Sequence, residues 1–210
     1  IARQWIRHRT ANVNEYSARY SILDKEFYLP AAKNLATQSQ NNRQGRGNVL
    51  EDNQAKQILD LLKGDAERNY SNYETMLNER YDGTVINENN IGLARELARM
   101  NLTLNTYTQW YWKTDLLNLM NFLRLRTDDH AQYEIRAYAD AMLDTFKKWT
   151  PITYEAFMDY RVGGTEVSAK GKAVLQKLIQ REEVNIEKSG LSKREWNELM
   201  ETFGFTEKII

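Results

Sequence analysis

Near the start of the chain, an Arg-His-Arg run at residues 7–9 places three cationic or titratable side chains next to one another. After seven intervening residues comes Ser17, which stands between Glu15 and Arg19 at alternate positions. Guanidinium groups match phosphate oxygens with forked donors, and a serine hydroxyl can bond a phosphate or a sugar. The run alone could equally be a basic helix C-terminus that satisfies the helix dipole. Together with the residues that follow, it predicts a site for a phosphorylated ligand.

The segment around Ser17 alternates in a way that extended backbone would sort onto two faces. A period of two would place Glu15, Ser17 and Arg19 on one side of a strand, over an apolar base formed by the residues between them. An ordinary half-buried strand has the same alternation. Ser17 could act as a nucleophile only beside a base, and the candidates are Glu15 and His8, whose arginine neighbours oppose its protonation. We therefore interpret Ser17 as a ligand-binding residue.

A second group of candidate residues lies at 118–139, where NLMNFLRLR is followed after three residues by HAQYEIRAYA. For Arg126, sequence spacing alone favours a surface ion pair with Asp128 or Asp129. His130 is interpreted as a structural residue at a helix start. Because the two histidines of the chain lack metal-ligand spacing, we predict no metal site.

The two groups, taken in order, closely resemble the flavin-dependent thymidylate synthases, which carry Arg-His-Arg, seven residues, Ser, and later NFLxLR leading into HAQxEI. The similarity covers roughly residues 1–30 and 90–160. It implies reductive methylation of dUMP to dTMP, with FAD as cofactor, methylenetetrahydrofolate as carbon donor and NADPH as reductant. It also implies a homotetramer with shared sites. The implied fold is α/β (α+β), with helices packed on a mostly antiparallel sheet.

The resemblance also implies roles for particular residues, with Arg126 as the catalytic residue that faces the uracil and promotes ionisation at N3. The implied dUMP-binding residues are Gln4, Arg7, Glu15, Ser17, Arg19, Arg99 and Arg126. The implied FAD-binding residues are Arg7, His8, Arg9, Glu15, Asp115 and Asn121. At Leu117 the sequence departs from the family, which often has a polar flavin contact at this position. The possibility that this chain is a family member without catalytic turnover is therefore left open.

The composition limits the other classes of function. The 29 Lys and Arg balance 29 Asp and Glu, so we expect no strong non-specific attraction to nucleic acid or membrane. The absence of cysteine excludes thiolate chemistry and fits a reducing compartment, and we predict a cytoplasmic enzyme. The alternative is a non-catalytic nucleotide- or RNA-binding helical protein, whose affinity would fall steeply with salt.

The spacing of apolar residues and the positions of Gly, Pro and capping residues predict the helices and strands that position these side chains. Residues 25–30 are expected to be extended, and residues 38–54 to be a mobile loop with Arg43 and Arg46 solvated. Five helices are predicted in the main domain, at about residues 52–80, 90–112, 116–124, 128–146 and 151–160. Gly163 and Gly164 would end a domain at residues 1–164 and begin a helical appendage at 165–210. Because no cap precedes the first apolar residues, we expect the chain to start inside a domain.

Overall fold

The computed structural model describes residues 1–40 and 45–205. The chain forms two compact units, Ile1–Lys148 and Trp149–Ile210. Helices predominate and the strands pair in two small antiparallel sheets, so the predicted α/β (α+β) class is confirmed. Within the described residues, no helix is long and apolar enough to cross a membrane.

The first sheet joins the two ends of the larger unit. Helix α1 (Ala2–Trp5) precedes strand β1 (Asn12–Glu15), which pairs antiparallel with β4 (Trp110–Lys113). The indole of Trp5 lies 5.0 Å from the ring of Phe122 and 5.7 Å from that of Trp112, measured between centroids. This aromatic contact fixes the N-terminal segment against the strand pair.

The helix predicted at residues 90–112 is wrong. The structure has only a short helix α3 (Arg95–Ala98) and a 3₁₀ turn (Arg99–Asn101) before β4 begins at Trp110. The consecutive aromatic residues Trp110, Tyr111 and Trp112 favour a pleated, half-buried strand, and here that preference overrides the helical spacing of the preceding leucines. Those apolar side chains are exposed instead, with Met100 at 76% and Leu104 at 90%.

The second sheet overlaps the segment that we predicted to be a loop. Strand β2 (Ala36–Gln38) pairs antiparallel with β3 (Arg46–Val49), and helix α2 (Asp52–Leu77) begins three residues later. The loop prediction for residues 38–54 is therefore wrong at β3, whereas the helix predicted to begin at residue 52 is confirmed by α2. Arg43, which we predicted to be solvated, lies outside the described residues.

Helix α2 carries the core of the larger unit on its C-terminal half. Tyr70, Tyr73 and Leu77 are buried against Ile22 and Ala98. The Tyr70 hydroxyl donates to the Leu23 carbonyl oxygen at 2.6 Å, so this buried polar group is satisfied. On the same helix Leu61 is 67% exposed, so the apolar face expected from spacing is only partly buried in this chain.

Two further helices carry the second group of candidate residues. Helix α4 (Leu116–Arg126) begins at Asp115, whose carboxylate accepts from the Asn118 backbone N–H at 2.9 Å, which confirms the predicted cap. Helix α5 (Tyr133–Trp149) begins later than predicted. Asp128 accepts from the His130 backbone N–H at 2.8 Å, which holds the chain in a turn before α5.

The smaller unit is a set of helices with its own core. Helix α6 (Pro151–Phe157) starts with proline at its first position and runs into a π turn (Met158–Val162). Three more follow, and they are α7 (Ala169–Ile179), α8 (Ile186–Ser189) and α9 (Lys193–Thr202). Val174, Leu199 and Met200 pack together. The predicted capping box of Ser192 and Glu195 is confirmed at the start of α9.

Candidate active site

Arg126, the last residue of α4, is tied to the N-terminal segment rather than to an aspartate. Its Nε donates to His8 Nε2 at 3.1 Å, and its Nη2 lies 3.5 Å from the Gln4 backbone oxygen. The His8 ring in turn meets the ring of Phe122 edge-on, with centroids 4.8 Å apart. Because Phe122 is fully buried one helical turn before Arg126, the core supports both partners.

The surface ion pair that spacing favoured for Arg126 is wrong. Asp128 Oδ1 is 2.9 Å from His130 Nδ1, and Asp129 Oδ1 accepts from Arg136 at 2.8 Å. Arg126 has no carboxylate partner among residues 1–40 and 45–205. The site therefore contains a half-buried guanidinium whose charge is not compensated by the described part of this chain.

His8 supports this guanidinium as a neutral ring. Burial lowers the pKa of His8, and the charge of Arg126 lowers it further. Since Nε2 accepts a hydrogen bond from Arg126, the ring proton is assigned to Nδ1. From the sequence we expected Arg7 and Arg9 to oppose protonation of His8. In the structure the causes are burial and the charge of Arg126 in α4.

A series of side-chain hydrogen bonds begins at Gln4 and ends at a buried ion pair. The Gln4 side-chain amide donates to Gln132 Oε1, and Gln132 Nε2 donates to Glu134 Oε2 at 2.8 Å. Glu134 is 8% exposed, and Arg46 Nη2 reaches its two oxygens at 2.7 and 2.6 Å. Tyr28 adds a hydroxyl hydrogen bond at 3.0 Å. This series of hydrogen bonds connects α1, α5 and the β2–β3 hairpin.

Charge and burial act in opposite directions on this ion pair. Burial alone would raise the pKa of Glu134, but the hydrogen bonds from Arg46 and Gln132 outweigh it and lower the pKa to about 2. Burial raises the pKa of Tyr28 to about 12, and the hydrogen bond to Glu134 adds to that shift. At neutral pH Glu134 is therefore an ionised acceptor and Tyr28 a neutral donor.

The residues around Ser17 form a separate and more exposed group. Strand β1 ends at Glu15, and the Tyr20 backbone N–H donates to the Ser17 carbonyl oxygen at 3.1 Å. The expected alternation of Glu15, Ser17 and Arg19 on one strand face is therefore wrong beyond Ser17, since the chain turns there. Arg19 instead pairs with Glu96 of α3 at 3.3 Å. Glu15 accepts from the Thr108 hydroxyl at 3.0 Å.

The remaining predicted residues lie on exposed or partly buried backbone. Arg99 is exposed in the 3₁₀ turn that follows α3, and Arg7 and Arg9 are exposed after α1. Asn121 is half-buried on α4. Backbone and side-chain hydrogen bonds from Asn118 lower the pKa of Asp115, the cap of that helix. The departing Leu117 on the same helix is 60% exposed.

Six of the predicted site residues fall into two groups. Gln4, His8 and Arg126 form one, and it will be called the histidine group. In the other, the Arg19 backbone N–H donates to Ser17 Oγ at 3.3 Å and Arg19 pairs with Glu96. Arg99 follows Glu96 by three positions in the sequence and is counted with them, and Ser17, Arg19 and Arg99 will be called the serine group. No hydrogen bond or ion pair in the described part of the chain joins the two groups. His8, Glu15 and His130 each bond a different partner, in three different places.

Sequence reasoning missed the four residues behind Gln4, namely Tyr28, Arg46, Gln132 and Glu134. Two of them lie in the HAQYEI segment, so the motif itself pointed to them. Nothing local in the sequence pointed to Arg46, which is separated by 88 positions from the carboxylate that it binds.

Comparison with known proteins agrees with these features. The family model described as thymidylate synthase complementing protein matches residues 1–152. A flavin-dependent thymidylate synthase of Rickettsia bellii is 58% identical over 200 residues, which cover 95% of this chain and 68% of that protein. One from Rickettsia conorii is 56% identical over 205 residues, which cover 97% of this chain and 70% of that protein.

A solved structure shares the fold as well. The UMP/dUMP methylase PolB from Streptomyces cacaoi, bound with 5-Br UMP, superposes with a TM-score of 0.65 at 32% identity. The superposition covers 75% of this chain and 68% of that chain. Since the family model matches well over half of the chain and two relatives exceed 50% identity, the chain belongs to the flavin-dependent thymidylate synthases, a family of methyltransferases.

Proposed function

We propose that this chain methylates dUMP to dTMP at the histidine group, with bound FAD, a carbon from methylenetetrahydrofolate and reducing equivalents from NADPH. The observation that carries the proposal is the half-buried guanidinium of Arg126, which His8 orients and no described carboxylate neutralises. The membership in the family and the methylase relative support the substrate. A cytoplasmic location stays a prediction.

Arg126 is the residue that we place against the uracil. Because His8 accepts the Nε hydrogen, the terminal nitrogens keep donors for a ligand. A fixed positive charge there lowers the free-energy cost of negative charge on the pyrimidine when N3 ionises. Neutral His8 holds the guanidinium without adding a second cation. These features make Arg126 suited to the catalytic role that the resemblance implied.

Among the other predicted dUMP contacts, Gln4 belongs to the histidine group and three belong to the serine group, whereas Arg7 and Glu15 belong to neither. In the serine group, forked guanidinium donors and a hydroxyl suit a phosphate and a sugar, so we place the phosphate there. Arg99 has no ion pair in the described residues, and Arg19 has only an exposed one. The proposed dUMP residues remain Gln4, Arg7, Glu15, Ser17, Arg19, Arg99 and Arg126.

The residues after α1 fit a flavin. Arg7 and Arg9 are exposed cations without ion pairs in the described part of the chain, as the negatively charged pyrophosphate of FAD requires. When bound, FAD supplies the hydride-transfer chemistry that side chains lack. The carboxylate of Asp115 is occupied by its cap, which leaves one further lone pair on each oxygen for a ligand. The proposed FAD residues are Arg7, His8, Arg9, Glu15, Asp115 and Asn121.

We propose that the two groups meet between subunits of a homotetramer. Exposed apolar side chains surround Arg99, with Leu97 at 45% and Met100 at 76%. Leu61 and Leu104 are also more exposed than a single chain would favour. Burial of this surface in an assembly would account for the two groups being unconnected within one chain.

The function is tested by titration of FAD into the purified protein, followed by a dTMP assay. We expect saturable binding near one FAD per chain, a shift of the flavin absorbance on addition of dUMP, and dTMP formation that requires NADPH and methylenetetrahydrofolate. Salt should change these affinities far less than it changes RNA binding. Saturable FAD binding without dTMP formation would contradict the proposed reaction.

A further inference from the structure

The carboxylate of Glu134 dictates the polarity of its surroundings. It is buried and ionised, so it can only accept hydrogen bonds. Arg46, Tyr28 and Gln132 all face it with hydrogens, at 2.6, 3.0 and 2.8 Å. Any group that turned an oxygen toward it would leave a buried charge unsatisfied.

This constraint passes through Gln132 to Gln4. Because the NH₂ end of Gln132 is committed to Glu134, its carbonyl oxygen faces Gln4. Gln4 must then donate with its own NH₂ end. The Gln4 side-chain oxygen accepts no hydrogen bond in the described residues, so it stays available as an acceptor. A neutral group at 134 would remove the constraint, since two glutamine amides can turn together.

We propose that Glu134, paired with Arg46, is a positioning residue that makes Gln4 present a carbonyl acceptor to dUMP. This inference rests on the proposed function, which places dUMP beside Gln4 and Arg126. The nucleotide offers two donors for that acceptor, the N3–H of uracil before N3 ionises and the 3′ hydroxyl. The backbone oxygen of Gln4 contacts Arg126, so the two side chains are close together. The Gln4 amide would accept a hydrogen bond from the nucleotide next to the point where the guanidinium supplies positive charge.

The test is calorimetric titration of dUMP into the holoenzyme, with thermal unfolding of each variant measured in parallel. Glu134→Gln should weaken dUMP binding by about tenfold, the loss expected for one hydrogen bond. The matched control is Glu198→Gln, which breaks an exposed ion pair with Arg194 by the same chemical change. The control should bind dUMP like the wild type.

A double variant, Arg46→Met with Glu134→Gln, separates positioning from folding. It removes both charges, so the midpoint of unfolding should recover relative to Glu134→Gln. The affinity for dUMP should stay weak, because Gln132 is still released. Recovery of affinity together with the midpoint would show that Glu134 matters only for folding, and would overturn the inference.

Two analogues identify the donor that Gln4 reads. N3-methyl-dUMP lacks the ring donor, and 2′,3′-dideoxyuridine monophosphate lacks the hydroxyl. The analogue that lacks the relevant donor should bind the wild type and Glu134→Gln equally. Equal affinity of both proteins for dUMP itself would overturn this inference and leave the proposed function intact. Absence of dUMP binding by the wild type would overturn both.

Discussion

The histidine group and the serine group contain similar residue types, yet they are held very differently. Gln4, His8 and Arg126 are half-buried and bonded to one another above Phe122. Arg19 is 56% exposed in its one ion pair, and Arg99 has none among the described residues. Groups that are fixed before the ligand arrives stabilise charge without reorganisation, whereas exposed arginines lose side-chain entropy when they bind. Under the proposed function, this difference would separate a site for chemistry from a site for attachment.

The elements beneath each group explain this difference. An aromatic cluster of Trp5, Trp112 and Phe122 underlies the histidine group and joins α1, β4 and α4. The serine group sits on a turn at residues 17–20 and on the 3₁₀ turn after α3. Packed aromatic rings resist displacement, while turns at the surface are held by few buried contacts.

The largest expected effect comes from the charge at the centre of the histidine group. Arg126→Ala should lower kcat for dTMP formation by about 100-fold or more, the range seen when one preorganised donor is removed. Arg124→Ala is the matched control, because Arg124 is exposed on the same helix and has no ion pair in the described residues. Steady-state kinetics measures both. A near-wild-type kcat for Arg126→Ala would contradict its catalytic role.

The next effect concerns the acid stability of the ion pair behind Gln4. The folded pKa of Glu134 lies near 2, below its ordinary value of 4.5, so its stabilisation is present above pH 4.5 and lost as the pH falls towards 2. Between pH 5 and 3 the wild type should lose about 1–2 kcal/mol more of its free energy of unfolding than Glu134→Gln. Urea unfolding at each pH measures this.

Parallel pH profiles for wild type and variant would contradict that assignment. The exposed pair of Arg19 and Glu96 provides an internal comparison, since solvent screens it and its contribution should be about 0–1 kcal/mol. Other carboxylates with a lowered pKa, such as Asp115, contribute equally in wild type and variant, so the difference between the two pH profiles reports the buried pair.

The same contrast shows which parts of the molecule the sequence could predict. Helix α4 was predictable because its cap, Asp115, and its apolar stripe are local features. The hairpin at β2–β3 was not, because its polar residues read as a loop and Arg46 is stabilised by Glu134, far away in sequence. Candidate residues of both groups came from motifs, whereas their division into two groups depends on tertiary contacts that no spacing encodes.

The helix predicted from the apolar residues between Leu93 and Leu104 is absent for a related reason. Their helical spacing predicted a long helix, but the structure exposes Met100 and Leu104. A helix gains most of its stability from burying an apolar face, and the described part of this chain leaves Met100 and Leu104 of that face uncovered. The spacing of apolar residues predicts that they share a face to be buried. It does not predict whether the same chain or another chain covers that face.

The smallest expected effect on stability is at Arg19, and it is the sharpest test of the comparison. Arg19→Ala removes an exposed ion pair, so the free energy of unfolding should change by only about 0.5 kcal/mol. The affinity for dUMP should nevertheless fall by about tenfold, because a charged contact to the phosphate is lost. Glu96→Gln breaks the same ion pair without removing the guanidinium, so it should leave phosphate binding intact. If Arg19→Ala instead left dUMP binding unchanged and lowered kcat, Arg19 would belong with the chemistry, and the division into two kinds of site would be wrong.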